Sequence, residues 1–367
     1  MNRKRKRLVS GSLFAIFSVI GLVMPGSFIV ETAGPALDVT GKSGGSDVEM
    51  VTISGGQTYE SDTKLYMTTV STYGTADFGV TGAQALFAIF SGDSQSIPLR
   101  AVYPKGNSDK QVQERNTKLM TDSQETAVAT AVGNAGYPVS MKVTVSEVTE
   151  KSPAEGKLEK GDVLTSIAVG DQTTSIGTYA DLLNALKKTE PKSTVTIGFT
   201  RDGQEKTVDI VTQAHEKDDT GWVKPGSRLG IALETSDVNI PVEVEYGVEG
   251  IGGPSAGMMF SLTIYDKLTP GSLGGDAKIA GTGTIAHSGD VGPIGGIQHK
   301  LRGAADQGVD YFLAPASNCA ETIGNEPDGM QVFAVRDFDE AVKATSAIGA
   351  GDTKGLTTCA DVVNSAE

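Results

Sequence analysis

The longest apolar stretch comes first: residues 8–30 carry no charged side chain, and five consecutive basic residues, Arg3 to Arg7, stand in front of them. As one helix rising 1.5 Å per residue, the run is about 34 Å long, enough to cross a bilayer core of roughly 30 Å with the basic cluster on the cytoplasmic side. A cleaved signal peptide is the competing reading, since Gly34-Pro35-Ala36 supplies small residues, but the run exceeds the usual apolar core of about 7–15 residues. An Ala/Gly/Ser-rich linker follows. β-Branched runs at Met50-Val51-Thr52-Ile53 and Leu65-Tyr66-Met67-Thr68-Thr69-Val70 then predict strands. Ser108 with Gln111 three positions on predicts a capped helix whose Val112, Leu119, Met120, Ala127, Val128 and Ala131 share a face until Gly133.

Beyond Gly133 the pattern becomes mainly strand-like. Val143-Thr144-Val145 and Val148 come first; Thr178 and Asp181 then cap a helix with Leu182, Leu183 and Leu186 inward. Asp202-Gly203 joins alternating runs around Ile197, Phe199, Val208 and Ile210. Two apolar helices follow, each opened by a glycine break. Gly252-Gly253-Pro254-Ser255-Ala256-Gly257 precedes Met258, Met259, Phe260, Leu262 and Ile264, and Gly292-Pro293-Ile294-Gly295-Gly296 precedes Ile297, Leu301, Ala304 and Ala305. The fold class is therefore mixed α/β (α+β).

Charge narrows the partners. The chain of 367 residues has net charge −14, and setting aside the five positive charges of the N-terminal cluster leaves −19, which argues against nucleic-acid binding. No phosphate-cradling loop is present, because Ala36 stands where the upstream glycine of a Gly41-Lys42-Ser43 motif would be needed. His215, His287 and His299 are dispersed, which argues against a Ser/His/Asp triad and a zinc site; no cofactor and no metal are expected.

The chemistry concentrates on Ser255 and Lys300. The glycines at 252 and 253 let backbone approach the serine, and the start of the following helix offers free N–H groups near Gly253, Pro254, Ser255 and Ala256 for an oxyanion. Lys300 falls beside the Ile297/Leu301/Ala304 face, pointing its amine at packed protein. A lysine base must come down from about 10.4 to roughly 7–8, which burial can achieve. Taken singly, Pro-Ser-Ala-Gly is an ordinary helix cap and Lys300 an ordinary helix lysine.

Pro254-Ser255-Ala256-Gly257, then Gly281-Thr282-Gly283-Thr284-Ile285, then Gly292-Pro293-Ile294-Gly295-Gly296-Ile297-Gln298-His299-Lys300, with Phe312-Leu313-Ala314-Pro315 beyond, together resemble the protease domain of Lon-type Ser/Lys peptidases. The resemblance implies Ser255 as nucleophile, Lys300 as general base and Thr282 as a hydrogen-bonding member of the dyad. Ser152-Pro153-Ala154 and Leu158-Glu159-Lys160-Gly161-Asp162-Val163-Leu164 resemble a PDZ domain. Its peptide groove is expected between Met141, Val143 and Val145 on a strand and Leu182 and Leu186 on a helix. The whole pattern is similar to membrane-anchored, PDZ-containing Lon-like proteases of bacteria. That implies a PDZ module inserted into one protease body, no motor domain, and a homo-oligomeric, hexameric ring.

The expected layout is a cytoplasmic basic segment 1–7, a transmembrane helix 8–30, a linker 31–48, a first part of the protease body 49–132, a PDZ domain 133–215, a catalytic domain 216–347 and an acidic tail 348–367. Cys319 and Cys359, both beyond the span and so in an oxidising compartment, are expected to form a disulfide; two buried thiols are the alternative. The expected function is membrane-anchored, ATP-independent cleavage of peptides or unfolded proteins outside the cytoplasm. A PDZ adaptor with an inactive protease-like domain is the alternative.

Overall fold

The computed structural model describes residues 3–42, 47–104, 106, 108–248 and 250–366; the side chains of the expected basic segment 1–7 and Glu367 of the expected tail lie outside the described residues. In chain order the first elements are α1 (Arg3–Val23), β1 (Phe28–Asp38), β2 (Val51–Ser54), β3 (Lys64–Tyr73), α2 (Gly82–Phe90), β4 (Ser94–Pro98), α3 (Leu99–Val102) and α4 (Asp109–Asn134). A second group comprises β5 (Ser140–Val148), β6 (Val163–Val169), β7 (Gln172–Ser175), α5 (Tyr179–Lys187), β8 (Thr194–Arg201), β9 (Gln204–Val211) and β10 (Ile231–Asn239). The chain closes with β11 (Glu243–Tyr246), α6 (Gly257–Leu268), β12 (Lys278–Gly281), β13 (Thr284–Ile285), β14 (Val291–Gly292), α7 (Ile297–Ala305), β15 (Tyr311–Pro315), α8 (Cys319–Thr322), β16 (Gln331–Val335), α9 (Phe338–Gly349) and α10 (Cys359–Ala366).

The main body is a sheet of order β16-β15-β12-β3-β1-β4, parallel from β16 to β3 and antiparallel thereafter. Strand side chains alternate between faces, and the two faces have separate cores. Leu65, Met67, Ile279, Leu313, Phe333 and Val335 point to a core shared with α4, α6 and α9. Ala280, Phe312, Ala314, Val332 and Ala334 point the other way, onto α7, α8 and α10. α6 is apolar nearly all round and is buried along most of its length, as such a helix must be in a folded body.

The inserted module folds around its own core, with sheet order β10-β5-β6-β8-β9 and α5 packed on it through Leu182 and Leu186. Ion pairs tie it to the main body: Lys187 Nζ lies 3.3 Å from Asp339, and Lys224 Nζ lies 2.5 Å from Asp290. Arg336 also stacks on Trp222 at 4.8 Å.

Four expectations are corrected. Residues 8–30 do not form one helix: α1 stops at Val23, Pro25 and Gly26 break the run, and Ile29 and Val30 are buried in the sheet. Its charge-free part rises only about 24 Å, and among the described residues no helix is long and apolar enough to cross a membrane. The expected linker from 31 is instead largely strand, so the main body begins at β1 rather than at residue 49. Residues 348–366, expected as an acidic tail, carry the helix α10, which buries Val362; the expected Cys319–Cys359 disulfide is present and ties it to the body. The fourth concerns the expected PDZ groove: β5 is an inner strand of its sheet, with β10 pairing along it between Ser140 and Val148 and β6 pairing with Val143 and Thr144. Val143, Val145, Leu182 and Leu186 are core residues, Met141 packs against them, and the outer strands of the sheet are β10 and β9. The module thus extends to Asn239 rather than ending at 215.

Candidate active site

Ser255, Thr282 and Lys300 arrive from three elements. Thr282 follows the C-terminal end of β12, a parallel strand, where ligands of α/β sheets gather. Ser255 stands before α6 on one face of the sheet, and Lys300 lies in α7 on the other. They meet where β12 ends. Lys300 Nζ is 2.8 Å from Ser255 Oγ and 2.8 Å from Thr282 Oγ1.

Hydrogen-bond accounting orients this cluster. Thr282 has one hydroxyl proton and donates it to the Ser255 carbonyl at 3.0 Å. Towards Lys300 its oxygen can therefore only accept. A neutral amine that donates there can turn its lone pair to Ser255 Oγ–H. Lys300 is 3% exposed, and burial lowers its pKa from the ordinary 10.5 to about 8. The amine is thus mostly ammonium at pH 7 and half neutral near pH 8.

The approach to Ser255 is held from α4. Gly253, at φ +91°, donates its N–H to the Asn116 carbonyl at 3.0 Å, and Ser123 Oγ donates to the Pro254 carbonyl at 3.0 Å. Gly257 admits no side chain, since a Cβ there would lie 2.6 Å from Ser123 Oγ and 2.8 Å from Ile285. Of the expected oxyanion donors, Gly253 is thus committed elsewhere and Pro254 has no N–H. The N–H groups of Ser255 and Ala256 remain, and neither makes a hydrogen bond among the described residues. α6 begins at Gly257 and has no side-chain cap, so Ser255 is not an N-cap.

A cleft of about 420 Å³ opens beside Ser255, lined by β3 residues 67–71 together with Pro35, Met120 and Ile251. β12 pairs with β3 only as far as Met67, so the next stretch of β3 presents backbone to the cleft. His299 is buried with neither ring nitrogen hydrogen-bonded among the described residues, and desolvation holds its pKa below the ordinary value. It plays no part in the cluster. Among the described residues no group of His, Cys, Asp and Glu is placed to hold a metal.

Residues 227–346 match the family model of the Lon protease (S16) C-terminal proteolytic domain, and residues 111–212 match that of the PDZ domain. The chain carries a Lon C-terminal proteolytic domain and a PDZ domain. Lon protease 2 of Bacillus subtilis is 30% identical over 112 residues, covering 30% of this chain and 20% of that protein. The peroxisomal Lon protease homolog 2 of Caenorhabditis elegans is 34% identical over 110 residues, covering 29% and 14%. The chain therefore spans a fifth or less of these relatives. A solved PDZ domain of an SdrC-like protein from Listeria monocytogenes aligns with 25% of this chain and 85% of its own at 24% identity, with a TM-score of 0.21, too low to argue from.

The two matches and the fold divide the chain differently. α4 falls inside the PDZ match, yet Met120, Ala127, Val128, Ala131 and Val132 belong to the core of the main body. β10 falls inside the Lon match but completes the PDZ sheet. The Lon domain and its insertion thus share both connecting segments. Asn116 and Ser123, ordinary polar residues on α4, gave no sequence signal of their contacts with the Ser255 loop.

Proposed function

We propose that the chain is an ATP-independent serine endopeptidase that cleaves peptides or unfolded proteins outside the cytoplasm. The observation that carries this reading is the buried amine of Lys300 at 2.8 Å from Ser255 Oγ. Lys300 takes the Ser255 proton as Oγ attacks the scissile carbonyl, and the oxyanion is received by the Ser255 and Ala256 N–H groups. The ammonium then gives its proton to the leaving amine; water, deprotonated by the same lysine, releases the acyl group from Ser255. Substrate lies extended along the open part of β3.

Four further parts complete the proposal. α1 holds the protein to a membrane through its exposed apolar side chains, without spanning it. The Cys319–Cys359 disulfide supports an oxidising compartment for the folded body. The PDZ domain binds substrate segments and delivers them to Ser255, and the chain works as a hexameric ring. A lysine whose pKa is lowered to about 8 by burial speaks against the adaptor alternative, since an adaptor has no use for it.

Without nucleotide, the full-length protein should hydrolyse an unfolded substrate, and kcat/KM should rise about tenfold per pH unit before levelling above about 8. The sign follows from the role: the base must be neutral, and the neutral fraction grows as pH climbs towards the Lys300 pKa. A rate that falls from pH 6 to 8, or a strict need for nucleotide, contradicts the proposal.

Thr282 is a positioning residue here. Thr282→Val should lower kcat about 10–100-fold and move the pH midpoint below about 8, because the ammonium loses an acceptor. Thr282→Ser should restore both. A Val variant with the same midpoint would assign Thr282 to packing alone.

A further inference from the structure

We propose that α2 is a second membrane-contact element, lying flat in the interfacial layer of a lipid bilayer beside α1. The inference rests on the reading of α1 as the membrane-held segment. α2 carries no charge, and its apolar residues are arranged inside out. Its buried positions are the small Ala85 and Ala88, while Leu86, Phe87, Ile89 and Phe90 are 48%, 75%, 66% and 81% exposed. Only a minor cluster with Val30 and Val80 lies beneath it. The helix is nevertheless firmly started, since Thr81 and Gln84 form a reciprocal capping box. An exposed apolar surface of this kind marks a contact site.

The occupant follows from what adjoins the patch. α2 abuts α1 so closely that a side chain at Gly82 would collide with the Gly21 carbonyl, and Pro25 bridges to Thr81. α1 exposes Phe14, Ile16, Phe17, Val19, Leu22 and Val23. At 100° per residue these positions point all round the helix. A protein groove or a second copy of the chain covers one stripe of such a helix and leaves the rest in water. A bilayer covers every side, and α2 shares that surroundings through its contact with α1. The patch ends abruptly at the far end of α2, where Asp93 is 91% exposed and pairs with Arg302 at 3.6 Å.

Two points of attachment fix orientation as well as location. β1 leaves α1 after four residues, and α7 rests on it so tightly that a side chain at Gly303 would strike the Gly34 carbonyl. Gln298 of α7 also donates to Gln95 of β4 at 2.8 Å. The helix that carries Lys300 is thus seated on the strands leading directly from the membrane elements.

The test places single tryptophans in the full-length protein, reconstituted in phosphatidylcholine vesicles with brominated acyl chains. Trp222→Phe first removes the one natural tryptophan. Phe14→Trp then reports α1, and Phe87→Trp and Phe90→Trp report α2. Each α2 reporter should show a blue shift and loss of emission, greatest with bromines near the headgroups, whereas Phe14→Trp is quenched deeper. If Phe14→Trp is quenched and both α2 reporters keep full emission, α2 does not touch lipid and the inference fails while the α1 reading stands. If none is quenched, both fail. Cleavage of an unfolded substrate by each variant in the same vesicles confirms the fold.

Discussion

Replacing Lys300 with alanine should reduce peptide hydrolysis by about a thousandfold or more, and arginine should not restore it. A guanidinium cannot lose its proton at usable pH, so it keeps the charge while abolishing the base. Ser255→Ala should cost as much, and the double variant little more than either, because the two residues act as a unit. The measurement is steady-state hydrolysis of one short reporter peptide, with circular dichroism to show that each variant is folded. Lysine-independent turnover, or rescue by arginine, contradicts the assigned role.

Breaking the Cys319–Cys359 bond should cost about 4 kcal/mol, since it closes a loop spanning 40 positions. Both cysteines are buried in the core under α7, with Ile297 and Leu301. For a body of this size the loss corresponds to a Tm about 10 °C lower. Replacement by alanine at both positions is the cleaner variant, because serine would add a buried hydroxyl. Thermal unfolding with and without reductant checks it. A Tm unchanged in the double variant would mean that α8 and α10 are held by packing alone.

The parts of the site that were legible in the sequence are those with local signatures. Ser255 and Lys300 each follow a glycine break that opens an apolar helix, and Thr282 sits in a short Gly-Thr-Gly run, so pattern and chemistry coincide. What was hidden depends on pairing between distant segments. Nothing near Val143 shows that β10, roughly ninety residues later, closes the edge of β5. For the same reason the expected groove fell on residues that form the PDZ core.

The N-terminal run misled for a different reason. A continuous apolar stretch is read equally well as a buried strand or a helix, and here it is one followed by the other. Asn116 was invisible because it holds Gly253 through its backbone carbonyl, a group every residue has. Ser123 and Gly257 form a steric pair across separate helices, which no local pattern encodes.

Covalent trapping separates an activated serine from an inert one. The intact protein is treated at pH 8 with a fluorophosphonate, which bonds to an activated serine, and the adduct is located by peptide mass mapping. The expected result is one adduct per chain, on Ser255, formed faster as pH rises from 6 to 8 and absent from the folded Lys300→Ala variant. An adduct on another serine, or equal labelling of Ser255 without Lys300, would contradict the Ser255/Lys300 dyad.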